Sequence, residues 1–378
     1  MTFPAAEYEQ RRANVRASMA EGQLDALVVT APEDVYYLSG LNNQGHFVFT
    51  ALVLDAGTDH ATLVAREMEA PTAAVQSACP FVGYRDGDDP ADVLADVLRP
   101  LGLGGRRIGH QPASLSFPVA VWQVLDRRLG SPAWVDCGGM LSDARAVRTD
   151  REIELLRHAG TLSDVGMRAG IEAASGTCSG GEIVGAMEQA MLSAGSDYPA
   201  FVPLVRPVDR IRQEHVAWTP DPITSDDTLF FELSAASARY HAPLGRTVRP
   251  RGRESGRAGE LARTGIDAIV AGLVPGRTAE QVYREWAAAI EAGLSRRYER
   301  HHCGYLVGIG FPPSWMAGRV DSLRPGNEMT LRPGMTFHVQ SWVLDEGIGT
   351  HATSDTALVT TDGAELLTTT PRGPTRPG

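Results

Sequence analysis

The chain has 378 residues, a formal net charge of -11 and no lysine, so all 35 of its basic residues are arginines. Without lysine it lacks the Schiff-base group of pyridoxal phosphate enzymes and the P-loop lysine of nucleotide hydrolases. The acidic balance argues against a nucleic-acid partner. The cysteines form no CxxC pair, and the N-terminus has no apolar signal segment. These features predict reduced thiols and a cytoplasmic protein without a membrane span.

In chain order, short branched segments alternate with helical spacing over residues 1–145, which predicts an α/β domain. The expected strands cover 26–29, 50–54, 61–65 and 107–109, and the expected helices cover 90–98 and 118–129. At about 150 residues per domain, the chain length leaves room for a second domain.

The second domain is expected over residues 146–367 and begins with a capping-box signature at Thr149 and Glu152. Further helices are expected at 259–273 and 278–294, and strands at 228–233, 335–343 and 357–360. This order favours helices packed on an antiparallel sheet, so the whole chain is assigned to the α+β class. Residues 368–378 are rich in proline, glycine and polar residues, which predicts a flexible tail.

Glu232 is a carboxylate inside the apolar strand 229–233. Burying an unpaired carboxylate costs several kcal/mol, so it must be paired, hydrogen-bonded or held at a raised pKa. The residues alone leave two interpretations open, an internal salt bridge to an arginine such as Arg246 and a catalytic role. Histidines flank this strand at His215 and His241.

Segments 148–154, 332–337 and 356–363 resemble the pita-bread family, the creatinase and M24 peptidase-like proteins that include methionine aminopeptidase, prolidase and creatinase. The resemblance implies a C-terminal pita-bread fold, with helices on a curved antiparallel sheet, behind a creatinase-type N-terminal domain. It also implies a homodimer in which the N-terminal domain of one chain covers the pocket of its partner.

Peptidases of this family hold two metal ions with two aspartates, one histidine and two glutamates. The matching positions here carry Glu232, Pro243, Tyr305, Gln340 and Ser354. One carboxylate cannot supply a dinuclear site, and proline has no ligating side chain. The resemblance therefore points to a metal-free branch of the family with no cofactor.

Within that branch, segments 197–204, 239–248 and 312–315 are most similar to the ectoine hydrolases, which open a cyclic amidine ring. This implies a metal-independent C–N hydrolase acting on a small zwitterion, most simply ring opening of ectoine to an N-acetyl diaminobutyrate. Two alternatives stay open: a creatinase-like or other amidine or amide hydrolase, and a binding relative without turnover.

The expected mechanism makes Glu232 the nucleophile or the base that activates water, and His215 the proton shuttle. Tyr305 is the third expected catalytic residue, although it could instead fill the space of the lost metal site. A substrate carboxylate needs an arginine partner. The expected substrate-binding residues, several of which could be structural instead, are His241, His338, Arg246, Arg239, Gln340 and Trp315.

Overall fold

The computed structural model describes residues 1–102, 106–224, 226–249, 256–316, 321–345 and 347–373. The chain divides into two compact units, Met1–Arg145 and Ala146–Gly378. Within the described ranges, no helix combines the length and the apolar character that crossing a membrane requires.

The first unit contains a mixed sheet, which has six strands in the described part of the chain, in the order β4-β3-β2-β1-β5-β6. Strand β2 pairs antiparallel with β1 and β3, and the other pairs are parallel. The strands are β1 (Ala26–Val29), β2 (Ala51–Asp55), β3 (Ala61–Arg66), β4 (Phe81–Tyr84), β5 (Arg107–His110) and β6 (Ala133–Asp136). The helices are α1 (Ala5–Glu21), α2 (Pro32–Ser39), α3 (Ala70–Gln76), α4 (Pro90–Leu98), α5 (Val119–Leu129) and α6 (Gly138–Ala146).

Helices of the second unit begin at side chains that satisfy free backbone amides. Thr149, Ser179 and Thr278 each form a capping box with the residue three positions later, which fixes the start of a helix. The helices are α7 (Asp150–Ala173), α8 (Gly180–Ser193), α9 (Gly256–Gly272) and α10 (Ala279–Leu294). Helix α9 packs on two strands of the main sheet and on α10, which buries its apolar face.

The main sheet of this unit is antiparallel. Its strands are β8 (Leu204–Pro207), β10 (Leu229–Leu233), β13 (Leu244–Val248), β14 (Gly304–Leu306), β15 (Thr336–Asp345), β16 (Gly349–Val359) and β17 (Ala364–Leu366). The order is β14-β15-β16-β13-β10-β8, with β17 beside β16. Short strands lie outside it, at β7 (Cys178–Ser179), β9 (Pro222–Ile223), β11 (Ala236–Ser237) and β12 (Tyr240–His241).

Successive side chains along β10 point to opposite faces of the sheet, and helices cover one of these faces. Phe231 packs in an apolar cluster with residues of α7 and α8, and Arg246 is its cross-strand partner. Glu232 is paired with Gly245 and therefore points to the opposite face from Arg246. At Gly245 a Cβ would lie 2.7 Å from Ser354 Oγ, so the absence of a side chain there keeps the strands beside Glu232 close.

The C-terminal segment departs from the expected flexible tail over residues 368–373. Thr368 Oγ1 donates to Asp355 at 2.7 Å, and both the amide and the hydroxyl of Thr370 donate to Asp164. Arg372 Nε also donates to Asp355, at 2.6 Å. Buried carboxylates thus anchor a segment whose composition is typical of a loose end. The rest of the expected tail, residues 374–378, lies outside the described residues.

Candidate active site

A row of facing residues crosses the second face of the main sheet. Register pairs Gln340 with Ser354, Ser354 with Gly245, Gly245 with Glu232, and Glu232 with Leu204. Because directly paired residues project to the same side of a sheet, this row brings together positions that are far apart in the sequence. Glu232 is the carboxylate in this row, and it is held on strand β10 rather than on a loop.

A cavity of about 340 Å³ opens above this row. It brings together five of the expected site residues, namely Glu232, His215, Tyr305, Gln340 and Trp315. The remaining lining residues are Phe201, Leu204, Glu214, His301, His302, Ser314, Met316 and Trp342. A carboxylate and an exposed imidazole therefore share one small, partly aromatic space.

Glu232 is 7% exposed, and burial raises the pKa of its carboxyl to about 7. The Arg206 guanidinium opposes this rise, Glu214 adds to it, and Arg300 opposes it. Gln340 Nε2 donates to Glu232 Oε1 at 3.3 Å, and His338 Nε2 lies 3.7 Å from the same oxygen. A carboxyl that titrates near neutral pH can serve as a base, an acid or a nucleophile under physiological conditions.

Behind Glu232, a chain of hydrogen bonds links Trp315, Tyr305, His338 and Ser354. Trp315 Nε1 donates to the Tyr305 hydroxyl at 3.0 Å, so that hydroxyl can donate in turn to His338 Nδ1 at 2.8 Å. This assigns the His338 proton to Nε2, which donates to Ser354 Oγ at 2.8 Å. Burial lowers the pKa of His338 to about 3 and raises that of Tyr305, so both are neutral. Tyr305 forms part of the cavity wall, and its hydroxyl proton is used in the hydrogen bond to His338.

The donor chemistry of this cluster does not fit the dinuclear metal site of the family's peptidases. Glu232, Tyr305, Gln340 and Ser354 lie on neighbouring strands, but they offer one carboxylate, a neutral phenol, an amide and a hydroxyl. Pro243 contributes a backbone carbonyl, which accepts from Thr356 Oγ1 at 2.7 Å. Across the described residues, no three histidine, cysteine or acidic side chains group as a metal site. These residues therefore do not supply the ligand set of a dinuclear metal site.

Two residues expected to bind substrate, His241 and Arg239, lie outside the residues that line the cavity. His241 Nε2 accepts from the Ala200 amide at 3.0 Å and its Nδ1 bonds the Arg239 carbonyl at 2.8 Å, while burial lowers its pKa to about 3. The Arg239 guanidinium donates to the carbonyls of Gly310 and Tyr198. The expectation is corrected, since both side chains connect loops.

The expectation that Arg246 binds substrate is also corrected, and so is the interpretation that Arg246 pairs with Glu232. It is buried on the opposite face, where Nη2 lies 2.6 Å from Asp355 Oδ1. Its other donors reach the carbonyls of Ser354 and Thr370. Arg246 thus joins the sheet to the C-terminal segment. His338 is not among the cavity-lining residues either, but it contacts two of them, Tyr305 and Glu232.

The loops contribute cavity residues that the sequence left without a role. Glu214 and the adjacent pair His301 and His302 line the cavity, and Arg300 Nη2 donates to Glu214 Oε1 at 3.1 Å. Arg300 also lies over the Trp342 ring, 4.6 Å from its centroid. In the sequence, these residues are marked only by their neighbours, since Glu214 precedes His215 and Arg300 precedes the histidine pair.

Comparison with known families decides the assignment. Residues 154–361 match Metallopeptidase family M24, and residues 11–147 match the Creatinase/Prolidase N-terminal domain. The chain belongs to the M24 family. Its relatives include the ectoine hydrolase of Halomonas elongata, which is 30% identical over an alignment of 404 positions that covers 98% of each chain. An Xaa-Pro dipeptidase of Pyrococcus furiosus is 24% identical over 94% of this chain and 96% of its own.

Solved M24 structures share the fold. The prolidase from Pyrococcus horikoshii superposes with a TM-score of 0.80 at 20% identity, covering 96% of this chain and 99% of that chain. The dipeptidase PepE from Mycobacterium ulcerans gives 0.81 at 23% identity, covering 99% of each. The expected pita-bread fold with a creatinase-type N-terminal domain is confirmed. Membership of M24 also confirms a hydrolase family.

Proposed function

We propose that this protein is a metal-independent hydrolase that cleaves a C–N bond of a small zwitterion, most simply by opening the ring of a cyclic amidine such as ectoine. The observation that carries the proposal is a buried carboxylate, Glu232, whose pKa is raised to about 7 in a cavity that it shares with His215. The similarity to an ectoine hydrolase over almost the whole chain supports this substrate class.

The chemistry follows from the charges at the reacting carbon. An amidinium carbon is electrophilic, and ionised Glu232 both attracts the cation and either attacks that carbon or removes a proton from an attacking water. As a C–O bond forms, the electron pair of the C=N bond moves to nitrogen. His215, whose imidazole lies in the same cavity, gives a proton to the departing nitrogen. If Glu232 attacks directly, a water then hydrolyses the bond between its carboxylate and the substrate carbon. In either route, net addition of one water breaks the C–N bond and leaves an amide and an amine.

The cavity walls suit a small, flat cation. Aromatic rings of Phe201, Tyr305, Trp315 and Trp342 line it beside Glu232. Phe201 and Trp315 meet edge to face with centroids 5.3 Å apart, which fixes the wall that they form. Aromatic faces attract delocalised cations, so these walls would hold an amidinium next to the carboxylate.

The donor set separates this proposal from a metallopeptidase function. The M24 dipeptidases among the relatives suggest Xaa-Pro dipeptides as an alternative substrate class. Four of the five positions that carry metal ligands in such enzymes hold non-acidic residues other than histidine here, namely Pro243, Tyr305, Gln340 and Ser354. A dipeptidase that needs two metals is therefore the less favoured function.

The test is a substrate panel read by mass spectrometry, with ectoine, creatine, other small amidines and an Xaa-Pro dipeptide. We expect a product one water heavier than ectoine, and its loss in Glu232→Gln. The control is Glu365→Gln, which changes a partly exposed carboxylate that pairs with Arg157 and does not line the cavity. Turnover of the dipeptide alone, or full activity of Glu232→Gln, would refute the proposal. Ligand-dependent thermal stabilisation without turnover of any compound would support the non-catalytic alternative.

A further inference from the structure

Arg206 is a buried cation beside the site that the proposed chemistry does not use. It lies on β8 opposite Phe230, one alternation from the pair formed by Leu204 and Glu232, and therefore on the same face of the sheet. Its side chain is 1% exposed, and the guanidinium carbon lies 5.7 Å from the centroid of the Phe230 ring.

The guanidinium holds the loop that reaches the cavity. Arg206 Nη1 donates to the carbonyl of Gln213 and, at 3.0 Å, to that of Val216. These two carbonyls flank Glu214 and His215, which both line the cavity. One side chain thus fixes the backbone on both sides of the imidazole that the proposed mechanism uses.

Burying the Arg206 guanidinium costs free energy, because two of its nitrogens make no hydrogen bond within the described residues. Nε and Nη2 are buried and have no hydrogen-bond partner in the described structure. A buried donor without a partner is expensive, and a purely structural clamp could be built from neutral donors. The arginine supplies something else as well, which is a fixed positive charge on the face that carries Glu232.

Other charged and titratable groups also face Glu232, so the Arg206 charge acts among several. They come from the loops and strands packed around it and are Glu214, His215, Arg300, His301, His302, Tyr305 and His338. Arg206 is the first cause that lowers the pKa of Glu232, ahead of Arg300, and it opposes the effect of burial. Arg206 and Arg300 are the two cations that lower the pKa of the Glu232 carboxyl, whereas Tyr305 and His338 are neutral.

We propose that Arg206 is a positioning residue of this site, which holds the loop that carries His215 at the cavity and places a fixed positive charge on the sheet face that carries Glu232. The proposal rests on the proposed function only for its catalytic consequence. The mobility of the loop and the titration of the Glu232 carboxyl can both be measured without substrate.

Two variants separate the clamp from the charge. Arg206→Gln removes both, and Arg206→Lys keeps a positive charge but lacks the Nη1 group that donates to both carbonyls. Arg210→Gln is the matched control, because Arg210 lies near the same loop but forms an exposed ion pair with Asp221. The loop is followed by hydrogen exchange of residues 211–219. The Glu232 titration is followed by the pH dependence of the stability difference between each variant and its Glu232→Gln double variant.

We expect Arg206→Gln to speed exchange in 211–219 and to move the Glu232 midpoint upward by about one pH unit. Arg206→Lys should speed exchange while leaving the midpoint near that of the parent, and Arg210→Gln should change neither. Once a substrate is identified, the acidic limb of the pH profile of kcat/KM should shift upward by the same amount in Arg206→Gln. Unchanged exchange and an unchanged midpoint in Arg206→Gln would overturn the proposal. If no substrate is turned over, the proposed function fails while these two measurements still decide the role of Arg206.

Discussion

Replacing Glu232 by glutamine is expected to make the protein more stable at neutral and alkaline pH. The carboxyl pKa rises from 4.5 to about 7 on folding, mainly through burial. Each pKa unit corresponds to about 1.4 kcal/mol, so ionised Glu232 costs the folded state about 3 kcal/mol. Glutamine fills the same volume and can still accept from Gln340 Nε2. The variant therefore removes a charge while keeping the packing.

The sign of the effect depends on pH. Below the unfolded pKa the carboxyl is protonated in both states and costs nothing. As pH rises from about 4.5 to about 7, the unfolded state releases its proton first, so the stability of the wild type falls relative to Glu232→Gln. Above the folded pKa the difference is constant. Chemical denaturation at closely spaced pH values, followed by tryptophan fluorescence, measures it, because Trp218, Trp286, Trp315 and Trp342 all lie in the second unit.

The control is Glu365→Gln, which should show the opposite sign. The hydrogen bond from Arg157 lowers the pKa of the Glu365 carboxyl, so this group stabilises the folded state above its unfolded pKa and loses that effect as pH falls. A stability difference between wild type and Glu232→Gln that is flat with pH would refute the reasoning. It would mean that Glu232 titrates in the folded protein as it does in water.

Three further outcomes are expected. Tyr305→Phe should destabilise the protein by about 1–3 kcal/mol in chemical denaturation, because Trp315 Nε1 loses its acceptor; unchanged stability would contradict this. Arg246→Met should destabilise the protein by about 1.5–3 kcal/mol and speed hydrogen exchange of residues 368–373, because buried Asp355 loses one of its two arginine partners; normal protection would contradict it. Light scattering should give twice the 40.5 kDa chain mass, as the family resemblance implies, and a monomer mass would oppose it.

The sequence predicts those parts of the fold and site that depend on local chemistry. Thr149 and Thr278 mark helix starts because their hydroxyls cap free amides whatever lies elsewhere in the chain. Glu232 stands out because a carboxylate within an apolar strand needs a special environment. The same signal is present at Arg206, a cation between Val205 and Pro207 in a buried strand.

Other features depend on which face of a strand a side chain occupies. Arg246 is close to Glu232 in sequence, but it pairs with Phe231 and points to the helix-covered face. A shift of one residue in register would reverse this, and register is set by pairing that a single strand does not encode. The cavity walls come from separate loops, so the contributions of Glu214 and His302 follow only from tertiary packing.

The C-terminal segment shows the limit of composition as a guide. Its threonines and prolines bury little apolar surface, which favours disorder. However, Thr368, Thr369 and Thr370 supply donors to Asp355 and Asp164, two buried carboxylates of the second unit. The need of those carboxylates for partners orders the segment, and it is visible only once the fold brings them together.

The most direct test of the central claim is ectoine turnover by protein freed of metal. The protein is dialysed against a chelator, its metal content is measured by elemental analysis, and the ring-opened product is quantified by mass spectrometry. Metal-stripped wild type should open the ring at the rate of the untreated protein, while Glu232→Gln prepared in the same way should not. Activity that disappears on stripping and returns only with added divalent metal would contradict the account.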